Sequence, residues 1–241
     1  MNLTKKEVKA ILIASFVIAI VFAFNDKKET FEISAWLLNF VLTLFAALIS
    51  VLFYNLLQKF AAERYGGSTT YKLWTIRKIW PAQMREFRPI PIGIILGFFT
   101  TLFSNGRVFF LAIHSPEIET SKYRHVHPRF KHITEFEIAK IAIMGPLAHL
   151  ILGLFLNVIN PASFANIIQM NYYLAIYHLI PFSSLDGLKI FMGSRLLYLF
   201  TLALTVFCVV LASLIPTVQA VFIALIFAIM LLLIFLHKVM G

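Results

Sequence analysis

The chain has 241 residues, of which 60% are hydrophobic and 13% charged, with a formal net charge of +10 at pH 7. Because a soluble domain has about 25% charged residues, this composition excludes a water-soluble globule and predicts an all-α polytopic membrane protein in the lipid bilayer. An excess of Lys and Arg is expected on the cytoplasmic side of such a protein, so the charge does not indicate nucleic acid as a partner.

Six apolar runs are long enough to cross a bilayer, which takes about 17–25 residues. In chain order they are 8–24, 35–57, 136–159, 164–180, 196–214 and 218–236. A seventh run, 90–103, is shorter and is interrupted by Pro91, Gly93 and Gly97, so we expect it to form a re-entrant or interfacial hairpin. Short strand-like runs at 68–74 and 108–113 are expected in the segment between the second and third spans.

The basic residues orient the six predicted spans. Residues 59–134 would lie on one side of the membrane, and they contain twelve Lys and Arg against four Glu. By the positive-inside rule this side is cytoplasmic, and both termini lie there too. The basic residues around His125, His127 and His132 favour anionic lipid headgroups as partners over a metal cluster, because their positive charge opposes metal binding.

Polar side chains within the apolar runs are costly in a bilayer, which makes each of them a candidate for function. Six polar residues in these runs or shortly after them form the candidate site: Tyr54, Asn55, Gln58, His149, His178 and Asp186. Tyr54 and Gln58 are four residues apart and therefore share one face of the second span. Because Gln58 and Asp186 both lie toward the cytoplasmic end of their spans, we expect these groups to face each other.

The order of motifs along the chain resembles the site-2 protease family of intramembrane zinc metalloproteases. The matching residues are Lys59, Ala62, Tyr65 and Gly66, then Ser104-Asn105-Gly106-Arg107-Val108-Phe109-Phe110, then Gly145-Pro146-Leu147-Ala148, and finally Pro181 with Leu185-Asp186-Gly187. The resemblance implies a single membrane domain over 1–241 in the plasma membrane of a prokaryote. Its protease-like core would be 35–195, preceded by an anchor span and outer loop (1–34) and followed by a helical pair (196–241).

The chain departs from that family at the catalytic positions. In the family, His-Glu-x-x-His supplies two zinc ligands and the general base, and the Asp of Leu-Asp-Gly is the third ligand. This chain has Tyr54, Asn55 and Gln58 at the first three of these positions and retains only Asp186. Asn and Gln cannot act as a base, and a neutral phenol or amide is a poor zinc ligand. The resemblance therefore implies a pseudoprotease with no catalytic residues and no cofactor, which binds a transmembrane client helix or the subunits of a membrane complex.

Two other functions stay open at this point. The family has Asn where this chain has His149 and His178, so with Asp186 these residues offer three ligands for zinc at a relocated site in an active enzyme. The chain would alternatively be a structural subunit of a membrane complex.

Each candidate residue also has a purely structural interpretation. Tyr54, Asn55 and Gln58 would form a hydrogen-bond cluster between helices, and the two histidines would be neutral and hydrogen-bonded across helices. Asp186 would cap a helix that begins near Gly187, or pair with Lys189.

Overall fold

The computed structural model describes residues 3–24, 32–76, 89–120 and 133–240, and in these residues the chain is mostly helical. The helices are α1 (Lys5–Ala23), α2 (Ile33–Arg64), α3 (Ile92–Phe103), α4 (Glu135–Ala142), α5 (Met144–Ile159), α6 (Ala165–His178), α7 (Asp186–Gly193), α8 (Arg195–Ala212) and α9 (Thr217–Met240). Two short strands, β1 (Gly67–Thr70) and β2 (Glu117–Thr120), pair in a two-stranded sheet.

Four helical segments in the described ranges are long and apolar enough to cross a membrane, which is compatible with an integral membrane protein. They are Ile33–Arg64, Glu135–Ile159, Arg195–Ala212 and Thr217–Lys238. They correspond to four of the six predicted spans. The other two fall on α1, whose first turns carry several charged residues, and on α6, which has only 14 residues. The six-span arrangement therefore stays a prediction.

The segment between the second and third predicted spans contains α3 and both strands. Helix α3 has 12 residues, about 18 Å at 1.5 Å per residue, which is shorter than the roughly 30 Å of a bilayer core; its re-entrant placement stays a prediction. The predicted strand run at 68–74 overlaps β1. The predicted strand run at 108–113 lies in neither named strand. Strand β2 begins after it, at Glu117, and His114 forms only an isolated bridge with Leu73.

The chain divides into two compact units, and the first consists of Met1–Leu52 and Thr70–Glu117. Helix α1 packs against α3 in this unit, and the absence of a side chain at Gly97 lets the Phe110 carbonyl and Val21 approach closely. The indole nitrogen of Trp36 donates to the Ala23 carbonyl at 2.8 Å, and Phe40 stacks on the Trp36 ring. These contacts hold the beginning of α2 against the end of α1.

The second unit consists of Phe53–Thr69 and Ile118–Gly241. Its helices pack mainly as the pairs α5 with α6, α4 with α7, and α8 with α9. Buried Leu150, Ile168, Ala175 and Cys208 form part of its apolar core. Gly187, in the first turn of α7, lies directly against the Leu179 carbonyl, so any side chain there would collide with backbone. This close approach fixes the beginning of α7, where Asp186 lies.

Candidate functional site

The candidate site lies in the second unit, where α2, α5, α6 and α7 each contribute a buried polar side chain. Tyr54 and Gln58 come from successive turns of α2, and Asp186 is the first residue of α7. All three side chains are fully buried. The predicted convergence of the second-span motif with Asp186 is therefore observed within this unit.

The carboxylate of Asp186 is the acceptor at the centre of the site. Its Oδ2 accepts a hydrogen bond from the Tyr54 hydroxyl and another, 3.1 Å long, from Nε2 of Gln58. Its Oδ1 accepts from Nζ of Lys189 at 3.2 Å, one turn along α7. Gln58 Nε2 also lies 3.3 Å from the Ala142 carbonyl, which ties the group to the end of α4. We call Tyr54, Gln58, Asp186 and Lys189 the carboxylate cluster.

The surroundings of Asp186 act on its pKa in opposite directions. Burial raises the pKa, while the charge of Lys189 and the hydrogen bonds from Tyr54, Lys189 and Gln58 lower it, and burial has the larger effect. The predicted ion pair with Lys189 is confirmed. The predicted helix cap is wrong, because the N-cap of α7 is Leu185 and Asp186 lies inside the helix.

The imidazole rings of His149 and His178 both pack beside the Tyr54 ring. The ring centroid of Tyr54 is 5.2 Å from that of His149 and 5.0 Å from that of His178, and the two imidazoles are 5.7 Å apart. Nδ1 of His149 lies 3.3 Å from Oδ1 of Asn171 on α6, which confirms the expected hydrogen bond across helices for this histidine. Nδ1 of His178 lies 3.9 Å from Oδ2 of Asp186.

Asn171 is a member of the site that sequence reasoning missed. It is fully buried and its Nδ2 donates to the Ile167 carbonyl of its own helix at 2.9 Å. It precedes His178 by seven residues, about two helical turns, so the two side chains share a face of α6. This seven-residue spacing from His178 is the sequence feature that would have identified Asn171 as part of the site. Asn55 is buried too, but its Nδ2 has no hydrogen-bond partner among the described residues.

The residues at the positions that the resemblance equates with zinc ligands do not fit zinc. Tyr54 and Gln58 offer a neutral hydroxyl and an amide, whereas zinc in proteins takes imidazole, thiolate or carboxylate. Both oxygens of Asp186 already accept hydrogen bonds, one of them from a cation. Among the three residues proposed for a relocated zinc site, His178 and Asp186 approach each other. The carboxylate of Asp186, however, already accepts hydrogen bonds from Tyr54, Gln58 and Lys189. Zinc at His149, His178 and Asp186 stays a prediction.

No protein-family model, curated protein or solved structure matches this chain. The resemblance to site-2 proteases therefore stands on its motifs alone. The basic residues around His125, His127 and His132, expected to bind anionic headgroups, lie outside the described residues.

Gly145 permits a close approach of α5 to the carboxylate cluster. A Cβ atom at this position would overlap the Tyr54 ring and Nε2 of Gln58. We expect Gly145→Ala to displace both side chains and to lower the unfolding free energy by about 1–3 kcal/mol, measured by denaturant titration in detergent. The control is Ile151→Ala on the exposed part of the same helix, which should cost about 0.5 kcal/mol or less. Equal losses in the two variants would show that Gly145 has no such packing role.

Proposed function

We propose that the chain is a catalytically inactive, site-2-protease-like membrane protein that binds or scaffolds transmembrane helices. In this proposal the protein has six spans and cytoplasmic termini in the plasma membrane of a prokaryote. The observation that carries it is the carboxylate cluster. Tyr54 and Gln58, which stand where the family has its two zinc-binding histidines, donate hydrogen bonds to the retained Asp186.

The chemistry of this cluster supports binding rather than hydrolysis. A metal-assisted protease needs a metal with an open position and a base for the attacking water. At the second-span positions the chain has only a phenol and two amides, and the carboxylate is neutralised by Lys189. Asn55 cannot take a proton from water. The carboxylate cluster therefore stabilises the packing of α2 against α7, and the residues at positions 54, 55 and 58 supply no nucleophile.

Exposed apolar side chains on the same elements support a helix as the ligand. On α2, Leu56 and Phe60 lie on the face away from Tyr54 and Gln58 and are 44% and 57% exposed, and Phe182, just before α7, is 56% exposed. Pro181 to Ser184 are all exposed, so this short segment presents the apolar side chain of Phe182 at the surface. A transmembrane helix would bury the apolar side chains and satisfy its own backbone internally.

Crosslinking tests the proposal. A photoreactive amino acid at Phe182 should capture intact transmembrane segments expressed as a single-span reporter library, with no cleavage products. Tyr54→Leu should reduce capture several-fold, because it removes a hydrogen bond that holds α2 to α7, and Ile159→Leu at an exposed position of α5 should not. Cleavage of any reporter by the wild-type protein, or equal capture by wild type and Tyr54→Leu, would count against the proposal.

A second candidate function is an active metalloprotease with a relocated site at His149, His178 and Asp186. The observation in its favour is the 3.9 Å separation between Nδ1 of His178 and Oδ2 of Asp186, two fully buried side chains. This second candidate function requires that the reporter be cleaved in the same assay and that a metal chelator stop the cleavage. Purification with fixed partners and unchanged behaviour of Tyr54→Leu would instead favour a structural subunit of a membrane complex.

A further inference from the structure

The first unit contains a cavity of about 770 Å³ between the beginning of α1 and the chain that follows β1. Ala10 and Ile13 of α1 and Leu73 form apolar parts of its wall, together with buried Tyr71. Binding sites for small molecules have volumes of about 300–1,000 Å³ and mainly apolar walls. The cavity is therefore much larger than a phosphate ion needs.

Lysines surround the same cavity. Lys5, Lys6 and Lys9 of α1 line it and are exposed, and Lys72 lines it from the other side. Lys72 is paired with Glu117. The first three lysines therefore give the cavity an excess of positive charge.

The acid of α1, Glu7, supplies one negative charge against the three lysines of that helix. Glu7 is buried, and its carboxylate accepts hydrogen bonds from the backbone nitrogens of Thr4 at 2.9 Å and Tyr71 at 3.1 Å. It thus caps α1 and fixes Tyr71 at the cavity wall.

The position of these lysines is unfavourable for the isolated helix. Cations are disfavoured at a helix N-terminus, where the backbone carries a partial positive charge. Lys5 and Lys9 are also four residues apart, and like charges at this spacing destabilise a helix. An anion in the cavity would reverse both effects, because it would interact favourably with the lysines and with the end of α1.

We propose that this cavity binds an anionic phospholipid, with its phosphate at Lys5, Lys6 and Lys9 and the upper part of one acyl chain against Ala10, Ile13 and Leu73. The charge alone would suit any phosphate. The apolar wall and the volume favour a phosphate that carries a hydrocarbon chain.

Native mass spectrometry of the full-length protein in detergent tests the proposal with three probes at equal concentration: dioctanoyl phosphatidylglycerol, dioctanoyl phosphatidylcholine and inorganic phosphate. Phosphatidylglycerol should bind at least about tenfold more tightly than either of the others, since each basic residue near a membrane surface contributes appreciably to binding anionic lipid. Equal binding of inorganic phosphate and phosphatidylglycerol would show a phosphate site and overturn the lipid assignment. Equal binding of the two lipids would overturn the role of the lysines.

Two variants separate a built cavity from general surface charge. Lys5→Gln/Lys6→Gln/Lys9→Gln should weaken phosphatidylglycerol binding at least about tenfold. The control, Arg64→Gln/Arg107→Gln/Lys238→Gln, removes the same charge at exposed positions that do not line the cavity and should bind as the wild type does. Equal effects of the two triple variants would overturn the site.

Ala10→Trp fills the cavity without changing the charge, and it should also weaken phosphatidylglycerol binding about tenfold. Its control is Leu12→Trp, at a position of α1 that is 54% exposed. Wild-type affinity in Ala10→Trp would show that the acyl chain lies elsewhere. The lysine triple variant changes only exposed side chains, so the test remains decisive if Ala10→Trp does not fold.

Discussion

The variant Tyr54→His/Asn55→Glu/Gln58→His is expected to bind about one equivalent of zinc, the stoichiometry of a site with three protein ligands, where the wild-type positions bind none. The side chains of residues 54 and 58 both reach Oδ2 of Asp186. Two imidazoles at these positions, one turn apart on α2, would therefore converge with the carboxylate. Elemental analysis of the purified, dialysed protein measures the result.

The matched control for this variant adds Asp186→Asn. It keeps both new histidines but removes the third ligand, so zinc should fall well below one equivalent. If the triple variant folds and stays free of zinc after incubation with the metal, residues 54, 58 and 186 do not occupy ligand positions, and the resemblance to site-2 proteases loses its structural meaning.

The second large effect is expected at Lys189. Lys189→Met preserves the length of the side chain but removes the cation that is bonded to the fully buried carboxylate of Asp186. Breaking a buried ion pair in this way costs about 3–5 kcal/mol, and we expect a loss near the lower end, because the Lys189 side chain is 18% exposed. The measurement is the unfolding free energy in detergent.

The loss should depend on pH in a defined direction. Without Lys189, the pKa of Asp186 rises further, since burial already raises it and one opposing charge is gone. A folded state that binds its proton more tightly than the unfolded state is most stable at low pH. The deficit of Lys189→Met should therefore be smallest in acid and grow as the pH rises through the folded pKa of Asp186.

Adding Asp186→Asn to Lys189→Met gives the control for this effect. The double variant has neither charge of this pair, so it should recover part of the stability and lose the extra dependence on pH. A Lys189→Met variant as stable as the wild type at neutral pH would contradict the assignment of Lys189 as the counterion that stabilises the packing of α7.

The long apolar helices were predictable because a run of such residues has few alternatives to a membrane-length helix. Four predicted runs correspond to segments of that length in the structure. The run at 164–180 was harder, because α6 ends at His178 and the chain then turns through exposed residues before α7. Ser183 has a φ of 54° in that turn, a local conformation that no periodicity of hydrophobic residues reveals.

The site was predictable in part. Helical spacing placed Tyr54 and Gln58 on one face, and Asp186 was chosen from the motif that follows the fourth run. The sequence did not reveal that the rings of Tyr54, His149 and His178 would all contact one another, since these contacts depend on how α5 and α6 pack around α2. Asn171 was missed for the same reason. The absence of a partner for Nδ2 of Asn55 in the described residues likewise depends on packing.

We propose that this chain retains the positions of a metal site without the metal. Elemental analysis of the wild-type protein, purified in detergent without chelators, tests it most directly when run beside His149→Ala/His178→Ala. We expect no stoichiometric zinc in either sample. Zinc near one equivalent in the wild type that disappears in the double variant would contradict it and would favour a relocated metal site at His149, His178 and Asp186.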